Sequence, residues 1–286
     1  MTSCPQGLGE GWDPYWGKLD PRMVSLYTTG RPRNIHQFWQ RCYAEDLRGL
    51  MGNMQGTDCL ELGAGRGTTS MYVTSYGGKV TMLDLSGAGL AIAKANFARE
   101  KLEQPTMIRA DARNTHLPSE SYDCVYSIGL LEHFDNPQPI LMEAERLLRP
   151  GGLHFAVIVA GRGDEVRTFV YAFLRPLSFA WKLVPQSIRK ALRPPRPPSD
   201  PAEKDEYRNN IMRSEYLEML GDVTDSACVP YNPYHSAYNS DFLEEYITVP
   251  LYRLHRALKK RFARFPLLKT WPRVASCDLL VFRKAL

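Results

Sequence analysis

A doubly wound α/β fold is predicted by three observations. Short apolar strands alternate with helical patterns, the first strand runs into a glycine-rich turn, and a strand with a continuous apolar run follows a Pro-Gly-Gly sequence near mid-chain. The first strand and its turn are Cys59-Leu60-Glu61-Leu62-Gly63-Ala64-Gly65-Arg66-Gly67-Thr68. Glycines at 63, 65 and 67 let the backbone turn through positive φ and bring bare N–H groups against a ligand, which suits a nucleoside cofactor. Glu61 stands two residues before the first glycine, where its carboxylate can meet a cation. A dinucleotide fingerprint needs its third glycine where Thr68 stands, so the pyrophosphate reading fails at its defining position.

Taken in order, residues 1–33 are rich in Gly, Pro and aromatic rings (Trp12, Tyr15, Trp16, Tyr27), which predicts an irregular arm packed by its rings. Asn34 caps a helix over 35–51, with Ile35, Phe38, Trp39, Cys42, Tyr43 and Leu47 at helical spacing. A helix over 67–76 follows the glycine turn, and a second strand, 79–84, ends in Asp84, 19 residues after Gly65, where an acid accepts hydrogen bonds from ribose hydroxyls. Ser86 caps a helix over 87–102. A third strand, 106–110, runs into Asp111-Ala112, and a fourth spans 121–128. Asn136-Pro137 opens a helix over 137–148. Pro150-Gly151-Gly152 then turns the chain into a fifth strand with the apolar run of a sheet buried on both faces. Beyond it, helical patterns cover 165–192, 203–220 and 241–263 around an exposed proline-rich connector, 193–201, and 276–284 reads as a last strand.

The glycine turn, Asp84, Asp111-Ala112, Leu130-Leu131-Glu132-His133 and the Pro-Gly-Gly turn, in this order, resemble the class I S-adenosylmethionine-dependent methyltransferases over residues 55–160, specifically their small-molecule, methyltransferase type 11-like branch. The resemblance implies a Rossmann-like doubly wound sheet of seven strands whose antiparallel last strand inserts beside strand five. It also implies an N-terminal arm and lid helix (1–54), a cofactor-binding core (55–162), a large helical cap for substrate recognition (163–272) and a closing strand (273–286). S-adenosyl-L-methionine is the implied cofactor. Gly63, Ala64, Gly65 and Gly67 would floor its site, and Glu61 with the backbone around Ser127 would orient the methionine ammonium. Asp84 with Leu85 would hold the ribose, Asp111 the adenine amino group and the Ala112 amide a ring nitrogen.

The implied activity is methyl transfer to a small-molecule acceptor such as a natural product, a sugar or a lipid-linked or isoprenoid compound, with oxygen the favoured atom. An alcohol or phenol must lose its proton as it is methylated, and His133 after strand four is the expected catalytic base; Glu132-His133 could instead shape the start of the next helix. Tyr15, Trp16, His36, Trp39 and His235 lie in elements expected to cover the acceptor, although core packing explains the aromatic stripe of 35–51 equally well. Two other readings stand: an RNA or protein methyltransferase guided by a basic face, and a non-catalytic cofactor-binding partner. Ser127-Ile128-Gly129-Leu130 stands where amino-group nucleic-acid methylation needs Asn/Asp-Pro-Pro-Tyr/Phe, which counts against nucleic acid.

At 286 residues and 44% hydrophobic content the chain can bury a full core plus an elaboration. Its six cysteines, at 4, 42, 59, 124, 228 and 277, have neither zinc spacing nor the density of a disulfide framework, so no metal is expected and a reducing cytoplasm is. No secretory pattern or spanning apolar run occurs. The net charge of +5 conceals an asymmetry: 166–199 and 251–270 each carry seven Lys or Arg and no acid, leaving −9 elsewhere. Such a basic face can draw in an anionic or amphiphilic acceptor or contact a membrane peripherally, or it is simply solvated. The apolar, aromatic stretch 169–184 and the stripe Leu251, Leu254, Leu258, Phe262 fit either a buried cap or an interfacial helix.

Overall fold

The computed structural model describes residues 8–19, 24–159, 208–233 and 275–286, with 185, 187, 249, 250, 253, 254 and 257. Apart from those single positions, the expected helical segments at 165–192 and 241–263 and the basic stretches lie outside the described residues, as do the proline-rich connector and His235.

Five parallel strands, β1 (Asp58–Leu62), β2 (Lys79–Asp84), β3 (Thr106–Arg109), β4 (Tyr122–Ile128) and β5 (Leu148–Ile158), join β6 (Val223–Pro233) and β7 (Ala275–Lys284) in the order β3-β2-β1-β4-β5-β7-β6. Strand β7 is antiparallel to both neighbours and inserts beside β5, as the resemblance implied. The chain leaves β1 toward β3 and returns to its other side with β4, so strand order reverses between β1 and β4. In open α/β sheets that reversal opens a ligand crevice beyond the carboxyl ends of the strands.

Helices cover both faces, and the two-residue alternation of the strands decides which side chains meet them. Cys59, Met82, Tyr126 and Phe155 pack with α2 (Ile35–Met51), α3 (Thr68–Ser75) and α4 (Gly87–Arg99). Leu60, Leu83, Val125 and Ala156 pack with α5 (Gln138–Leu147) on the other face. Asn34 and Ser86 cap α2 and α4 through Gln37 N–H and Gly89 N–H, as the sequence predicts. Cys59 and Cys124 face each other in register between β1 and β4 as buried free thiols.

Three local expectations need correction. Residues 8–17 form a helix, α1 (Leu8–Gly17), rather than an irregular arm. Three glycines and Pro14 make its intrinsic propensity poor, and tertiary contact overrides it: Ser86 Oγ and the Ala88 amide, at 3.1 Å, donate to Asp13 and pin α1 to the start of α4. Second, the described residues of the segment read as a mostly helical insertion include, besides a short helix, α6 (Arg213–Glu218), the strand β6. Strand β6 contains Pro230 and Pro233, which read as breakers in sequence; an edge strand tolerates them because one side of its ladder has no partner. Third, Pro150-Gly151-Gly152 is absorbed within β5, with a shifted register against β4 and Gly151 at φ +74°.

Candidate active site

Gly63, Gly65 and Gly67 all adopt positive φ, +66°, +47° and +69°, between β1 and α3. Close approach forbids a side chain at the middle one: a methyl group on Gly65 would lie 2.4 Å from Trp16 Cζ2, because α1 lays its indole across the turn. Asp84, ending β2, braces the turn by accepting the Gly65 amide at 2.7 Å on one oxygen and the Ser86 amide at 2.7 Å on the other. Burial pushes the Asp84 carboxyl above its ordinary range despite these bonds.

Beyond the carboxyl ends of β1, β2 and β4 opens a cavity of about 300 Å³, at the lower end of small-molecule sites. Of the residues expected from sequence, Glu61, Gly63, Ala64, Gly65, Asp84, Leu85, Asp111, Ala112, His133, Tyr15, Trp16, His36 and Trp39 line it. Gly67 and Ser127 do not. Gly67 caps α3 in the left-handed conformation. Ser127 is paired with Ala156 inside the sheet, one residue before β4 ends, and Ile128 and Gly129 stand in the wall instead. Sequence reasoning had not selected Trp12, Gln40, Tyr43, Thr68, Glu132, Val159, Arg208 or Cys277, which also line the cavity. A signal existed for Thr68, which directly follows the glycine turn, and for Glu132 beside His133. Arg208 and Cys277 come from remote segments that only folding brings near.

Glu61 is a strongly perturbed carboxyl of the wall. It is buried, accepts Ser70 Oγ at 2.5 Å, and Ser70 Oγ lies 2.7 Å from Tyr126 OH. Loss of solvent raises its pKa to about 8, so it carries a proton at neutral pH until a cation arrives. Asp111 differs. Burial opposes its charge, but the Arg113 side chain, at 2.6 Å, and Arg113 amide hold it below the usual range. His133 ends a 3-10 turn, Leu131–His133, with its ring edge-on to Trp12 at 4.8 Å. The Asn209 side chain braces this turn by donating to the Leu131 and Phe134 carbonyls at 3.0 and 2.8 Å, and the Asn209 amide donates to the Glu132 carbonyl at 2.7 Å. His154 lies elsewhere, buried in β5 and stacked on Phe282 at 4.6 Å; desolvation drives its pKa to about 3, and it is a neutral core residue.

A glycine turn that lines a cavity, an acid closing the next strand and a buried carboxyl beside both are the features of a nucleoside-binding α/β domain. Residues 60–156 match the methyltransferase domain family. The chain is 30% identical over 185 residues to a malonyl-[acyl-carrier protein] O-methyltransferase of Pectobacterium atrosepticum, covering 64% of this chain and 66% of that one. It is 30% identical over 103 residues to a ubiquinone biosynthesis O-methyltransferase of Nitrosococcus oceani, covering 36% and 44%. The chain thus spans less than two thirds of the length of these curated relatives. In fold it is similar to phosphoethanolamine N-methyltransferase 2 of Haemonchus contortus, solved with S-adenosyl-L-methionine, at TM-score 0.53 and 18% identity, covering 86% of this chain and 53% of that one. These likenesses indicate a class I S-adenosylmethionine-dependent methyltransferase, a class whose cofactor is S-adenosylmethionine.

The wall fits that group. The glycine turn lines the cavity, Glu61 is a buried carboxyl suited to an ammonium, and Thr68 Oγ1 is buried at the start of α3 without a hydrogen-bond partner among the described residues. Among the described residues no group of three or more His, Cys, Asp or Glu could hold a metal ion, and no helix is long and apolar enough to cross a membrane.

Proposed function

We propose that this protein transfers a methyl group from S-adenosylmethionine to an oxygen of a small-molecule acceptor. The observation that carries the reading is the continuity of one cavity from the glycine turn and Asp84 to Glu132, His133 and the aromatic wall of Trp12, Tyr15, Trp39 and Tyr43. When bound, the cofactor supplies a methyl group already activated by its sulfonium, so the protein's task is largely to hold the reacting oxygen within about 3 to 3.5 Å and in line. Glu61 would take the cofactor's ammonium, Asp84 and Leu85 its ribose, and Asp111 and Ala112 its adenine. Oxygen as the acceptor atom is supported by the two curated O-methyltransferase relatives.

Arg66 and Arg208 in the same wall support an anionic or amphiphilic acceptor, and the basic stretches 166–199 and 251–270 would favour its approach or a peripheral membrane contact. Calorimetry with S-adenosylmethionine and S-adenosylhomocysteine tests the cofactor site. Incubation with methyl-labelled cofactor and fractionated cell extract tests the acceptor class: label entering small-molecule or lipid fractions supports the reading, and label confined to RNA or protein overturns it. Vesicle flotation tests the membrane contact, which requires co-flotation that survives moderate salt.

A further inference from the structure

Glu132 is 1% exposed in the middle of the 3-10 turn, and it forms part of the cavity wall. Its Oε1 accepts the Val159 amide at 3.1 Å, while its Oε2 is buried with no hydrogen-bond partner among the described residues. Its backbone carbonyl accepts the Asn209 amide at 2.7 Å, which helps to hold the turn that carries the carboxyl group. A buried carboxylate oxygen without a donor is costly, and an arrangement that keeps one beside a ligand cavity is matched by a donor on the ligand. On the proposed function, the only proton that must leave the acceptor is that of the hydroxyl being methylated.

We infer that Glu132, rather than His133, accepts that proton, and that the acceptor is a phenol-type aromatic hydroxyl lying between the rings of the wall. The acceptor's O–H bond breaks with its proton passing to Glu132 Oε2, an O–CH3 bond forms, and the sulfonium–methyl bond breaks with its electron pair staying on sulfur. One carboxylate and one sulfonium are thereby neutralised, and no further reactant is required. Burial raises the Glu132 pKa, which strengthens it as a base; its neighbours His133 and Arg208 and the Val159 amide oppose that rise. His133 serves as wall, its ring packed against Trp12. Trp12, Tyr15, Trp39 and Tyr43 supply flat apolar surface for an aromatic body.

The test uses the full chain loaded with S-adenosylhomocysteine and the chromogenic probe 4-nitrocatechol, whose visible spectrum reports the ionisation of its hydroxyl. Wild-type and His133→Gln protein should both bind the probe with a shifted spectrum. Glu132→Gln should bind it about tenfold or more weakly and without that shift, at unchanged S-adenosylhomocysteine affinity. With S-adenosylmethionine, Glu132→Gln should lower probe methylation by about 10²- to 10⁴-fold. A wild-type spectrum or turnover in Glu132→Gln, or a cofactor-loaded wild-type protein that shows no saturable probe binding, overturns the inference alone. Failure of wild type to bind S-adenosylhomocysteine overturns the proposed function and this inference with it. Should Glu132→Gln not fold, the acid limb of the spectral shift decides: persistence in His133→Gln supports Glu132, and its loss there refutes it.

Discussion

At the amino-terminal edge of the sheet, Arg149 reaches Asp58 and Asp123 at 2.9 and 2.7 Å, and Lys284 reaches Glu120 at 3.0 Å. Nearby on α5, Glu143 is held by Arg146 at 2.7 Å and by Thr115, which bring its pKa down to about 2. At the opposite edge Glu61, Asp84 and Glu132 take their hydrogen bonds from neutral groups: the Ser70 hydroxyl, the Gly65 and Ser86 amides, and the Val159 amide. Burial drives all three upward. One sheet thus uses the same residue type in two ways. Paired acids stabilise the closed end, whereas the acids desolvated at the open end are held there at a cost in stability.

Substitution at Gly65 should break the open end most completely. Valine there must take a φ of +47° and place its Cβ against Trp16, so Gly65→Val should abolish cofactor binding in calorimetry; retained affinity would remove the site from the glycine turn. Asp84→Ala should weaken cofactor binding by about 1.5 to 3 kcal/mol, since both the ribose contact and the brace on the turn are lost. An unchanged dissociation constant would show that the ribose lies elsewhere.

Opposite pH responses sharpen the contrast between the two ends. The folded-state pKa of Glu61 is raised to about 8, so its ionisation destabilises the protein progressively as pH rises from the usual carboxylate range through 8. Glu61→Gln should therefore gain roughly 4 to 5 kcal/mol over wild type at pH 9 and almost nothing near pH 4, while losing cofactor affinity. Glu143 has the reverse sign: its contribution is full above the usual carboxylate range and is lost as pH falls through about 2. Denaturant titrations of Glu61→Gln and Glu143→Gln across pH measure this, and parallel curves would refute the contrast. The smallest effect belongs to Arg149→Ala. Its ion pairs are partly exposed, so about 1 kcal/mol or less of stability should be lost, with cofactor affinity unchanged.

Much of the fold was legible because its signals are local. Positive φ at Gly63, Gly65 and Gly67 depends on the glycines themselves, the caps of α2 and α4 depend on Asn34 and Ser86, and β5 announces itself by an apolar run that only a doubly covered strand can bury. For the same reason Glu61 and Asp84 could be placed at strand ends beside the turn without knowledge of the rest of the chain. The misreadings arose where a distant partner outweighs local preference. Helix α1 is held by Ser86 and Ala88 against its own glycines and proline, and β6 keeps two prolines because β7 pairs it on one side.

Sequence by itself determined the backbone conformations and apolar periods that place a glycine turn and two acid-ended strands at one crevice. Tertiary structure alone decided how each acid there is solvated and paired. Asp111 finds Arg113 two residues away, whereas Glu132 is sealed by Val159 and Asn209, 27 and 77 residues further along. Charge and proton affinity follow from desolvation and from the donors within reach, and those are properties of neighbours in space rather than in sequence.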